Sequence, residues 1–134
     1  MGKVIEFDLK RMTVKARLII VGSVTKVVET LNDDPYGKGV ASIEVEEVIK
    51  GGPTEKHIDV HYAPRAGEEA GFLIGDRCVF FITDWKGNPH ILQGYAGKIP
   101  IEEGYVRVLF IRGEEKKQAL EHFIQRIRDV MKGL

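Results

Sequence analysis

Four histidines and one cysteine are the residue types here with the most direct claim to chemistry. His57, Asp59 and His61 recur at every second position in HIDVHY, so on a strand they share one face, about 6.6 Å apart at each step. Imidazole and carboxylate suit zinc or copper. Three ligands along one strand do not converge on one ion, because the outer pair is about 13 Å apart. A metal site here therefore takes two of the three plus a group from a neighbouring strand, such as His90, Glu44 or Glu46. The plainer alternative is the solvated polar face of a half-buried strand. Neither reading requires a resident cofactor, and none is expected.

A second set is aromatic and basic. Trp85, Tyr62, Tyr95 and Tyr105 are candidate stacking platforms, with Arg65, Lys86 and Lys98 as candidate charges. β-Barrel surfaces bind oligosaccharides and single strands in this way. Trp85, Tyr95, Arg65 and Lys86 make up the ligand-binding set; Tyr62 falls on the apolar face with Ile58 and Val60 and reads as core. Twenty basic and twenty acidic residues cancel. The chain thus lacks the cationic excess that displaces phosphate counterions, which weighs against nucleic acid as a partner.

An enzyme finds little support. The chain has no nucleophile elbow, phosphate loop, paired Cys–His signature or HExxH helix, and Ser23 and Ser42 lie in strand-like runs without an evident base. Cys78, the lone cysteine, cannot form an internal disulfide and reads as a small core residue in RCVFFIT. The pairs Glu68-Glu69 and Glu102-Glu103 read as solvated loop acids, and His122 as the flank of a helical stripe.

These residues are presented by β-rich runs. Leu18 to Glu29 and Val40 to Lys50 are long strands around a loop of turn residues. Near-continuous apolarity at the start of the first implies burial on both faces. Gly22 suggests a bend, and the phase slip after Glu46-Glu47 suggests a second. Residues 57–62 alternate cleanly, and 63–76 form a loop whose Phe72 and Leu73 are expected to plug one end of a barrel. Residues 77–83 are a strongly apolar strand. DWKGNP turns at Lys86-Gly87 into a return strand at 90–93, and Gly94 and Gly97 permit an irregular crossing before a last strand at 105–110. Ahead of the first strand, residues 8–16 predict one or two helical turns capped by Asp8. At the other end, Leu120, Phe123, Ile124, Ile127, Val130 and Met131 recur at three- and four-residue spacing, predicting a helix over about 114–132. Glu114 and Glu115 would lie in its first turn and Lys132 in its last.

The order of these pieces is familiar. The motifs ARLIIVGSVTKV (Ala16 to Val27), VEEVIKG (Val45 to Gly51), GDRCVFFI (Gly75 to Ile82) and GYAGKIPI (Gly94 to Ile101) resemble a group of small prokaryotic domains. The architecture of that group is similar to the OB-type barrel of the tissue inhibitors of metalloproteinases and the netrin modules. The resemblance covers residues 8 to about 110 and implies a mainly β fold. With the helices read above, the expected fold is a five- to six-stranded antiparallel OB-like barrel (about 17–110) with a short N-terminal helix and a C-terminal helix, in one domain over 1–134. The inhibitors chelate their target's zinc through an N-terminal cysteine held by disulfides. This chain has only Cys78, so that mechanism does not carry over.

The expectation is therefore a non-catalytic binding or protein-interaction module. The alternatives are an OB-type binder of oligosaccharide or single-stranded nucleic acid, and a metal-binding domain through the His57/Asp59/His61 face. No run approaches the ~20 apolar residues that span a bilayer, and MGKVIEFDLKRM lacks the apolar core of a signal peptide. Export or surface association is expected if a leader has been removed, and a cytoplasmic location otherwise. Charged residues make up 30% of the chain, against two Asn and three Gln, a balance seen in heat-adapted proteins.

Overall fold

A computed structural model describes residues 8–30, 35–52, 54–67, 71–108 and 117–134. Helix α1 spans Leu9–Lys15, and the Asp8 carboxylate caps it by accepting from the Arg11 amide (3.1 Å). At its far end the Lys50 ammonium donates to the carbonyls of Thr13 (2.7 Å), Val14 (3.2 Å) and Ala16 (2.8 Å). Those carbonyls have no partner within the helix, so a cation there satisfies them and opposes the negative end of the helix dipole.

Strands β1 (Leu18–Thr30) and β2 (Lys38–Lys50) form a long antiparallel pair. β3 (His57–Tyr62) extends it beyond β2, and β4 (Arg77–Trp85) pairs with the other edge of β1. β5 (Asn88–Ile91), β6 (Lys98–Glu102), β7 (Tyr105–Arg107) and β8 (Lys117–Ala119) complete an antiparallel sheet in the order β3-β2-β1-β4-β6-β7-β8, with β5 also paired to β4. Backbone pairing does not close this sheet among the described residues. Helix α2 runs from Leu120 to Lys132. No helix among the described residues is long and apolar enough to cross a membrane.

The bends fall where the sequence places them. The β1/β2 register slips between Val21 and Gly22, where Glu46 is the extra residue between Val45 and Glu47. Gly22 has no room for a side chain: a Cβ would lie 2.6 Å from the Glu44 carbonyl oxygen and 2.7 Å from Ile43 Cγ2. Further slips follow at Ile49 and Thr25, and such bulges let a long ribbon coil. Two hairpins use two-residue turns with both residues at positive φ: Lys86-Gly87 (52° and 82°) and Glu103-Gly104 (51° and 81°). This backbone matches the right-handed twist of the flanking strands.

β1 and β4 are buried on both faces, as their unbroken apolarity requires. On one face Ile19, Val21, Val79 and Phe81 pack with Leu9 and Met12 of α1 and Phe123, Ile124 and Ile127 of α2. On the other, Leu18, Ile20, Val24, Cys78, Phe80 and Ile82 pack with Ala41 and Ile43 of β2, Ile58, Val60 and Tyr62 of β3, and Ile91 of β5. Burying each large apolar side chain contributes about 1.5–3 kcal/mol.

Three expectations are corrected. The C-terminal helix starts at Leu120 rather than near 114, because Lys117–Ala119 pairs with β7 and the buried Gln118 side chain accepts from Arg126 (2.9 Å). Five to six strands become eight, because β6 and β8 were not anticipated; five and three residues are too short for a period to declare itself. Phe72 is buried against Tyr62 (ring centroids 4.7 Å), but Leu73 is 72% exposed and plugs nothing. The expectations at Glu68-Glu69, Glu114, Glu115 and the end of the 105–110 strand fall outside the described residues.

Candidate functional site

The most chemically varied surface is the outer face where β3, β5 and β4 come together. β3 alternates as expected: Ile58, Val60 and Tyr62 are buried, while His57, Asp59 and His61 face outward. Each of the three outward residues has a different partner. His57 Nε2 lies 3.8 Å from the Glu44 carboxylate, its cross-strand neighbour. Asp59 accepts from the Ser42 hydroxyl at 2.7 Å, again directly across the ladder. His61, in register with Val40 of β2, meets His90 of β5, with ring centroids 6.4 Å apart and planes inclined at 31°. The triad is therefore not one site, because its members are spaced along the strand and cross-strand pairing takes two of them. Among the described residues no three His, Cys, Asp or Glu side chains gather around one point.

His90 is the centre of a row of rings. Trp85 of β4 packs against it at 5.9 Å between centroids, inclined at 37°, and the Lys86 ammonium lies 5.0 Å from the centre of the indole. The hairpin explains this placement. Trp85 pairs with Asn88 and Thr83 with His90, so Trp85 and His90 are diagonal neighbours on one face, close enough for large rings to touch. The row His61–His90–Trp85–Lys86 thus crosses from β3 to the β4/β5 turn. Trp85 is 44% exposed, while the rings of His90 and His61 are half-buried. Burial, and secondarily the charge of His61, holds the His90 imidazole below its ordinary pKa.

β3 runs antiparallel to β2 and β5 to β4, and both β2 and β4 run antiparallel to β1, so β3 and β5 point the same way. They lie side by side without backbone pairing among the described residues. A depression near this seam is lined by His57 and Asp59 of β3, Pro89 of β5, Arg17 and Leu18, and Thr54 and Glu55.

The expected ligand-binding set is split by the fold. Trp85 and Lys86 come together at the β4/β5 turn. Arg65 follows the C-terminal end of β3, where its amide donates to the Tyr36 carbonyl (2.9 Å) and its side chain is exposed. Tyr95 is half-buried on a 3-10 turn, Gly94–Gly97, beyond the C-terminal end of β5. Because β3 and β5 are codirectional, Arg65 and Tyr95 share one end of the seam and Lys86 the other. Tyr105, at the start of β7, is 44% exposed with the Lys117 ammonium 4.6 Å from its ring centre, away from the Trp85 hairpin. Other candidates serve the scaffold. Lys98 donates to the Asp76 carboxylate (2.6 Å) and the Gly71 carbonyl (2.7 Å), tying down the segment that carries Phe72. Glu46, at the bulge, receives a two-pronged ion pair from Arg77 (2.9–3.1 Å) and the Ser23 hydroxyl (3.1 Å), and Arg77 holds its carboxyl below the usual range. Tyr62 donates to Glu29 (2.8 Å) from within the core. Burial pushes the Cys78 thiol up to about 12, far from a nucleophile's range.

The Trp85–His90 contact was within reach of the sequence, since a two-residue Lys-Gly turn fixes the register and hence the diagonal. The His61–His90 contact was not, because it joins strands with no ladder between them. Compared with known proteins, the chain matches no family model and no curated protein.

Proposed function

We propose that this chain is a non-catalytic binding module built on an OB-like barrel, and that the His61–His90–Trp85 face is its contact surface. For the barrel, support comes from the second core cluster. It is fed by all of β1 to β5, and β5 lies beside β3, which supports a cyclic order 1-2-3-5-4. For the contact surface, one observation carries the reading. An indole, 44% exposed, is flanked by the His90 ring and the Lys86 ammonium on a face that is otherwise polar. Exposed, pre-positioned tryptophan is the residue type that most often anchors an interface. The partner this reading favours is a protein.

The same ring row favours a second reading, a stacked oligosaccharide or single strand. Trp85 is the only tryptophan, so its emission reports on this face directly. Wild type and Trp85→Ala are compared by affinity capture, and wild-type emission is titrated with a mixed oligosaccharide set and an oligo-dT strand. The interaction reading expects a protein retained by wild type and lost from the variant, with flat titrations. A saturable emission change with either probe moves the assignment to the second reading. Equal capture by wild type and variant refutes the surface assignment.

A further inference from the structure

We propose that His61 and His90 form a two-imidazole site for a borderline transition-metal ion, with Cu2+ the best-fitting occupant, bridging β3 and β5 where no backbone pairs join them. The geometry is the first ground. Imidazole nitrogen binds such ions at about 2.0–2.1 Å, which puts two rings on one ion roughly 5–6 Å apart between centroids. The observed 6.4 Å is within about 1 Å of that range, a difference that rotation of the His61 side chain covers. Donor chemistry is the second ground. Imidazole nitrogen suits Cu2+ and Zn2+, and the divalent series places Cu2+ highest for such ligands.

The surroundings are consistent with an open, solvent-completed site. Trp85 packs against His90 and limits how far that ring turns. Asp59, two positions before His61 on the same face, supplies negative charge while bonded to Ser42. Lys86 is the opposing charge on the row, and it rests on the far member, Trp85. A depression lined by Asp59 and Pro89, the neighbours of His61 and His90 along their strands, adjoins the pair. An ion held by both histidines would tie together two strands that backbone pairing leaves untied, so its binding would stabilise the fold.

The test needs no partner, so its failure leaves the binding-module reading and the Trp85→Ala experiment intact. Cu2+ is titrated into the full chain while Trp85 emission is followed, and Zn2+, which does not quench, is followed through the melting temperature. The expected result is a saturable one-to-one quench and a Zn2+-dependent rise in melting temperature. Both should weaken at least about tenfold in apparent affinity in His61→Ala and in His90→Ala. Both should persist in a double variant, His57→Ala with His122→Ala, which removes the other two histidines. His61→Asn and His90→Asn, polar replacements of similar size, serve if either alanine variant loses its native circular dichroism. Absence of quenching at millimolar Cu2+ overturns the proposal. So does quenching unchanged in the His61 and His90 variants, or quenching abolished in the His57/His122 variant.

Discussion

Replacing Lys50 by methionine isolates the polar contact between the N-terminal helix and the sheet. Methionine keeps the apolar stem and removes the ammonium, leaving the carbonyls of Thr13, Val14 and Ala16 without their donor. A hydrogen bond to a charged group is worth about 1.5–3 kcal/mol net, and a cation at a helix C-terminus about 0.3–1 kcal/mol. The three bonds share one ammonium, and the longest is solvent-exposed, so they do not sum. Lys50 itself is only half-buried, so part of its loss is recovered as water reaches the freed carbonyls. The expected cost is about 2 kcal/mol, a fall in melting temperature of roughly 6–10 °C for a domain of this size. Urea unfolding followed by circular dichroism gives the global number. Amide exchange locates it, because the Ala16 amide, bonded to the Met12 carbonyl at 2.9 Å, should exchange faster while amides of the β1/β4 ladder change only with global stability. A loss under about 0.5 kcal/mol, within ordinary surface-mutation scatter, or unchanged exchange at Ala16, would refute the capping argument.

Two further outcomes follow from single positions. Gly22→Ala must push its new Cβ against the Glu44 carbonyl and Ile43, and because one obstacle is backbone the bulge has to open. Overpacking of this kind costs about 1–3 kcal/mol, read as a lower urea midpoint at unchanged slope, whereas a neutral substitution would show that the β1/β2 ribbon relaxes freely. His90 makes stability depend on pH. Burial first, and the charge of neighbouring His61 second, lowers its folded pKa below 6.5, so between those two values the unfolded chain binds more protons and stability falls as pH drops. Its share of the slope is at most about 1.4 kcal/mol per pH unit. His90→Gln should flatten the profile between pH 6.5 and the folded pKa, and an identical profile in wild type and variant would contradict the burial argument.

The patterns legible in the sequence are those set by local physics. The period-two alternation of HIDVHY, the helical stripe from Leu120 to Met131, the Asp8 cap and the Lys86-Gly87 turn each depend on residues a few positions apart. Gly22 and the Glu46-Glu47 slip were readable as bends for the same reason: a strand that changes phase, or loses a side chain where its partner comes close, declares a bulge locally. The limits of this reading are equally physical. Residues 117–119 continue smoothly into the helical stripe in sequence, yet pair with β7 because that edge needs a partner and Gln118 finds Arg126 beneath the sheet. Leu73 is as apolar as Phe72, and only Phe72 meets Tyr62.

The candidate site divides in the same way. Residue types and their faces were fixed by the chain itself: His57, Asp59 and His61 point outward because pleating leaves them no choice once Ile58, Val60 and Tyr62 are buried. Which of them act together was decided only by tertiary structure. Cross-strand pairing gave His57 to Glu44 and Asp59 to Ser42, and the coiling of the sheet carried His61 across to His90, twenty-nine positions away and on a strand it does not pair with. Arg65 and Tyr95 were separated from Trp85 and Lys86 by strand direction, which no local pattern encodes. A sequence determines what each face of a strand displays; which faces meet depends on how bulges and helices bend the whole sheet around its two cores.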